Sequence, residues 1–165
     1  MLISENTKKA LFKISKKCFQ MNRMWDRNVS VLSVDFAMVK ASNILHLRFA
    51  HKFPLLADKV SEILDAFNEK VDYLVTDADV SNYSTIMELF QNALDEMMSL
   101  NSMVKEGIKL AEEADDLNVK VMLEQFMLSL TPYINQSIIL RDKAKLYNTS
   151  VALYDHNIDS FFLIE

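Results

Sequence analysis

Residues 85–113, TIMELFQNALDEMMSLNSMVKEGIKLAEE, decide the fold class. Ile86, Phe90, Ala93, Met97, Leu100, Val104 and Ile108 recur every three or four places, the spacing of one apolar helix face. Thr85 and Glu88 form a capping box that opens this rod. Gly107, inside the same stretch, is the only glycine among 165 residues, and the only prolines are Pro54 and Pro132. Sheets need frequent tight turns built from Gly, Asn and Asp. A chain so short of turn-formers is expected to be all-α.

Three more periodic stretches flank this one. Leu32, Phe36 and Val39, continued by Asn43, His46 and Ala50, predict a rod over residues 29–51. Pro54 suits the first turn of a second rod, whose stripe Leu56, Val60, Ile63, Phe67, Val71 and Leu74 runs to about residue 75. After a polar break at 114–118, Leu123, Met127, Leu130, Ile134 and Ile138 mark a fourth rod, broadly buried, which Pro132 is expected to kink. Four such rods describe a four-helix bundle over residues 29–147. Residues 1–28 read as a basic amphipathic arm, and the apolar end of 148–165 as a short segment docked on the bundle.

Composition narrows the classes further. Ten methionines suit a helical core with flexible gap-fillers. Cys18 is the only cysteine, so no disulfide forms within the chain. No apolar run reaches the roughly 18 residues of a membrane span, and the start lacks a signal-peptide core. A cytoplasmic protein is the expectation. A single glycine cannot build a phosphate-cradling loop, and no nucleophile and base pair stands out. The basic side chains Lys8, Lys9, Lys13, Lys16, Lys17, Arg23 and Arg27 face only Glu5 and Asp26 in the first 27 residues, whereas the whole chain carries −5. A basic segment on an acidic body follows, and such a segment can contact phosphates.

Residues 53–76, FPLLADKVSEILDAFNEKVDYLVT, resemble the second helix of the Dps-type mini-ferritins. Residues 104–140, VKEGIKLAEEADDLNVKVMLEQFMLSLTPYINQSIIL, are similar to that family's third-to-fourth helix junction. His46 resembles the His of the family's His-Trp pair. The resemblance implies a ferritin-like bundle, self-association into a homo-oligomer, and iron as cargo, oxidised between two subunits, stored, and linked to stress protection. It further implies nonspecific DNA binding through Lys8, Lys9, Lys13, Lys16 and Lys17, as tails provide in some relatives. In the matched register the five ligand positions fall on His46, Ala57, Ser61, Asp72 and Thr76, so only His46 and Asp72 retain metal-binding chemistry and the oxidation centre is expected to be degenerate.

Asp58, Glu62, Asp65, Glu69 and Asp72 recur at helical steps and predict a carboxylate ribbon on one face. Oxygen ligands of this kind hold iron, calcium or magnesium. The candidate metal ligands are therefore His46, Asp72, Glu62 and Asp58, and the same ribbon also reads as a solvated acidic face. His46 sits on the apolar side of its stripe, which suits a core histidine as well. His51 reads as surface, and His156 lies between Asp155 and Asp159. The connection after the second rod, residues 76–84, allows either an extended crossover strap or a simple up-down-up-down bundle. The alternative functional reading is a non-catalytic interaction module that docks a partner on Met97, Met98 and Met103 or on the apolar tail.

Overall fold

The computed structural model describes residues 2–165. Helix α1 (Glu5–Val34) is followed by α2 (Val39–Leu45), a π turn (His46–Ala50) and α3 (Lys52–Ala66), which together form one rod. Helices α4 (Ile86–Glu113), α5 (Leu117–Tyr147) and α6 (Val151–Phe161) complete the chain. No helix among the described residues is long and apolar enough to cross a membrane.

The all-α expectation holds, but two boundaries move. The basic segment is not an appendage: it continues through residue 34 as a single helix that packs on α3 and α4. The rod expected over 29–51 is broken instead by a turn, in which Met38 N–H donates to the Leu32 carbonyl and Ala37 takes a left-handed φ of 55°. That bond closes a seven-residue loop, one residue wider than the six-to-one bond of a Schellman motif, and with the left-handed residue before it ends the helix. The second rod ends at Ala66, not near 75, because Asn68 adopts φ 57° and turns the chain out of the helix. Asp115 and Asn148 do the same after α4 and α5. Asn and Asp tolerate this region best among non-glycine residues, which is how a chain with one glycine stops its helices.

Shortening α3 lengthens the connection. The nineteen residues between α3 and α4 can span about 60 Å when extended, more than the roughly 42 Å of a 28-residue helix. They run alongside α1 in its own direction. Lys8 pairs with Glu69, Phe19 meets Tyr73, Arg23 Nε donates to Thr76, and Arg27 donates to the Ser81 carbonyl and to Asn82. Helix α4 then descends: Met24 contacts Asn92, Lys17 pairs with Glu96, and Ile14 faces Gly107. Helix α5 starts beside the beginning of α1, where Asp116 accepts from Ser4 N–H and the Thr7 hydroxyl, and runs back up the bundle. Helices α3 and α4 are thus parallel, which only a crossover permits, and the simple up-down-up-down alternative falls away.

Gly107 is in mid-helix because three helices meet there. A Cβ at this position would stand 3.2 Å from Ile14 Cδ1 and 3.3 Å from Leu123 Cδ1. The expected capping box opens α4, with Glu88 N–H donating to Thr85 Oγ1 at 3.1 Å and Ser84 N–H to the Glu88 carboxylate. Helix α5 continues unbroken through Pro132. The carbonyl that loses its donor there belongs to Leu128, a residue 70% exposed, where water can replace it.

The tail packs on α5 and α2 by means the sequence did not advertise. Buried Gln136 donates to the Phe161 carbonyl and accepts from Leu163 N–H. Asp155 accepts from Ala41 N–H in the first turn of α2, and Lys40 pairs with Asp159. The acidic groups around His156 therefore cap and clamp α2, while His156 itself stays exposed.

Candidate metal centre

A metal centre inside a helical bundle needs side chains on facing helices that carry carboxylates or imidazoles inward. This interior holds none. The buried polar or charged residues are Thr7, Ser15, Lys17, Asn28, Ser42, Asn101, Gln136 and Ser137 among the described residues. No Asp, Glu or His appears in that set. An aromatic series fills the space: Trp25 and Phe49 have ring centroids 4.9 Å apart, Trp25 and Phe90 6.3 Å, Phe49 and Tyr133 6.1 Å, and Phe90 and Tyr154 5.0 Å. The rings come from α1, the π turn, α4, α5 and α6, so each packs against others across helix boundaries. Pairs of this kind contribute about 0.5–1.5 kcal/mol beyond the area they bury.

Near the midpoint of α1, the mostly buried Lys17 ammonium pairs with Glu96 of α4. The ammonium takes up the carboxylate that α4 presents to α1 at this level, which leaves Glu96 engaged in an ion pair. Cys18 beside it is fully buried, and burial pushes its thiol up to about 12, with a backbone hydrogen bond only partly opposing. A protonated thiol is neither a nucleophile nor a good ligand.

The four ligands expected from the sequence do not converge. His46 is exposed and lies in the π turn, not in the core, with Nε2 4.0 Å from Asp26 Oδ1 of α1. Asp58 and Glu62 are exposed on α3, one helical turn apart. With a rise of 1.5 Å per residue they stand about 18 and 24 Å along the rod from His46. Asp72 lies in the crossover, exposed. The expected ribbon of five carboxylates is cut where α3 ends, and Glu69 beyond that point pairs with Lys8. Thr76, a ligand position in the matched register, instead accepts from Arg23. No group of three or more His, Cys, Asp or Glu side chains poised around a metal position occurs among the described residues.

The basic side chains are likewise partly committed. Lys8 binds Glu5 and Glu69, Lys17 binds Glu96, and Arg23 and Arg27 hold the crossover. Lys9 and Lys13 are exposed and Lys16 half-buried. Three of the seven basic side chains of α1, Lys8, Arg23 and Arg27, thus clamp the segment that climbs beside it.

Two residues important here escaped the sequence reading. Asn22 donates to the Ala50 carbonyl at 3.0 Å and fixes the π turn against α1. Asp26, one turn further along α1, faces His46. Their i, i+4 spacing on one helix was the available signal.

No protein-family model matches this sequence, and no curated protein matches it significantly. Solved structures do. An open-pore ferritin from the hyperthermophilic archaeon Archaeoglobus fulgidus superposes with a TM-score of 0.87 at 12% identity, covering 94% of this chain and 96% of that one. A closed form of the Archaeoglobus fulgidus ferritin engineered by site-directed mutagenesis gives 0.85 at 13%, covering 94% and 95%. The chain has the ferritin-like fold along nearly its whole length.

Proposed function

We propose that this chain is a self-associating ferritin-fold subunit whose bundle serves as a scaffold and carries no oxidation centre of its own. The observation that carries this reading is the bundle interior, where aromatic and thioether side chains and the Lys17 ammonium occupy the space that inward carboxylates would need. Self-association is supported by apolar side chains left at the surface: Tyr73, Val75 and Val80 on the crossover are 63, 84 and 75% exposed, and Leu47 and Leu55 on the adjoining rod 64 and 56%. Exposed apolar side chains of this size mark interaction surfaces where they are contiguous.

A second reading, Dps-type iron storage and stress protection, is favoured by the retention of the complete architecture shared with ferritins. Iron is then cargo, held by His46, Asp58, Glu62 and Asp72 only where two copies bring together groups that one chain keeps apart. Nonspecific DNA binding draws support from Lys9, Lys13 and Lys16 alone, because Lys8 and Lys17 are already paired.

Light scattering on the eluting protein, combined with aerobic Fe²⁺ addition, separates the two readings. The scaffold reading expects a homo-oligomer that oxidises Fe²⁺ no faster than protein-free buffer. A saturable, protein-dependent rate with iron retained through gel filtration overturns it in favour of storage.

A further inference from the structure

Ala10, the only alanine of α1, meets Gly107 where α1 and α4 pack: a Cβ on Gly107 would stand 3.9 Å from the Ala10 Cβ. Two such small residues let the helices approach but leave no side chain to fill the notch on the solvent side of the contact. Met103 lies one turn before Gly107 on α4 and Leu110 one turn after, so both fall on the same face and wall the notch at its two ends. Both are half-buried. The result is a groove of about 360 Å³ floored by Ala10, Ile14 and Gly107. At 1.5 Å per residue it runs about 12 Å along α1, from Asn6 to Ile14.

The rim of this groove is asymmetric in charge. Lys9 and Lys13, one turn apart on α1, are exposed and make no ion pair among the described residues, whereas Lys8 and Lys17 beside them are paired. Glu106, on the α4 side, is the single acidic residue that lines it. The whole chain carries −5, so two unneutralised ammoniums beside an apolar channel reverse the sign of the surface locally. Apolar walls with a few polar groups that fix orientation are what small-molecule sites of this volume share. We propose that the groove binds an amphiphilic organic anion, a medium-chain carboxylate, with its chain along Ala10, Ile14 and Gly107 and its head group between the Lys9 and Lys13 ammoniums. Glu106 repels the head group from the α4 rim and so sets which side it takes. An inorganic anion has nothing to lay on the floor, and a neutral amphiphile leaves both ammoniums unanswered. The site lies within one chain and stands apart from the scaffold reading and from iron.

Calorimetric titration of decanoate, kept below its micelle concentration, into the full-length protein tests this, with hexanoate and octanoate for comparison. The expected result is one saturable site per chain, with affinity rising by up to about fourfold for each added methylene. Replacing both lysines, Lys9→Gln with Lys13→Gln, should weaken decanoate roughly 3- to 30-fold. The same charge change at two exposed positions away from the groove, Lys70→Gln with Lys145→Gln, should leave it unchanged. Met103→Trp fills the groove from one wall and should abolish binding, with circular dichroism checking its fold. The lysine variants alter only exposed side chains and decide the matter even where the tryptophan variant does not fold. No saturable binding of decanoate, an affinity independent of chain length, equal weakening in the two lysine pairs, or undiminished binding by a folded Met103→Trp each overturns the assignment.

Discussion

Asn22 Nδ2 donates to the Ala50 carbonyl at 3.0 Å, supplying the bond that residue 54 would make in α-helical register if it were not proline. Ala50 is fully buried, so its carbonyl has little access to water. Asn22→Ala should cost about 1 kcal/mol in chemical denaturation. In a Pro54→Ala background the backbone N–H returns, and the cost of Asn22→Ala should shrink. Equal costs in both backgrounds would show that the two residues do not share this carbonyl.

Ala37 holds a left-handed φ of 55° at an exposed turn. A Cβ is unfavourable in that region by about 1 kcal/mol. Ala37→Gly should therefore raise stability by about 0.5–1 kcal/mol despite the freer unfolded chain. A lower melting temperature for this variant would mean that the turn is not held in this conformation.

Burial pushes the Asp116 carboxyl up, but the hydrogen bonds from the Thr7 hydroxyl and Ser4 N–H outweigh it and leave the group below its usual range. A carboxyl depressed by folding contributes stability above its unfolded pKa and loses that contribution as pH falls through the folded value. Asp116→Asn should destabilise the protein at pH 7, and the difference should fade below about pH 4. A pH-independent difference would point to lost packing instead.

The Cys18 thiol, buried and pushed up to about 12, should resist a thiol-specific disulfide reagent at pH 8 in the native protein and react at once in denaturant. Rapid native labelling would mean that α1 opens locally.

The all-α class was legible because glycine scarcity is a property of the whole chain. The rods beginning at Thr85 and after residue 116 were legible because Thr85 and the acidic break carry ordinary helix-boundary chemistry. The turn at 35–38 was not. Leu32, Phe36 and Val39 keep helical spacing straight across it, and Ala37 gives no sign of its left-handed backbone. Phe67, Val71 and Leu74 likewise continue the stripe of α3 into the crossover, while the actual stop is the unremarkable Asn68. These two slips placed His46 in a core and Asp72 on a helix. The approach of His46 and His51 was hidden for a related reason: a five-residue spacing is off-face in an α-helix, and only the π turn before Pro54 reconciles it.

The central claim is that the bundle interior is a packed aromatic and thioether core with no iron position. Anomalous diffraction at the iron edge from crystals soaked anaerobically in Fe²⁺ tests it most directly. No peak is predicted among the rings of Trp25, Phe49 and Phe90, with any iron confined to surface groups. A strong peak inside that space, with side chains displaced to coordinate it, would contradict the account.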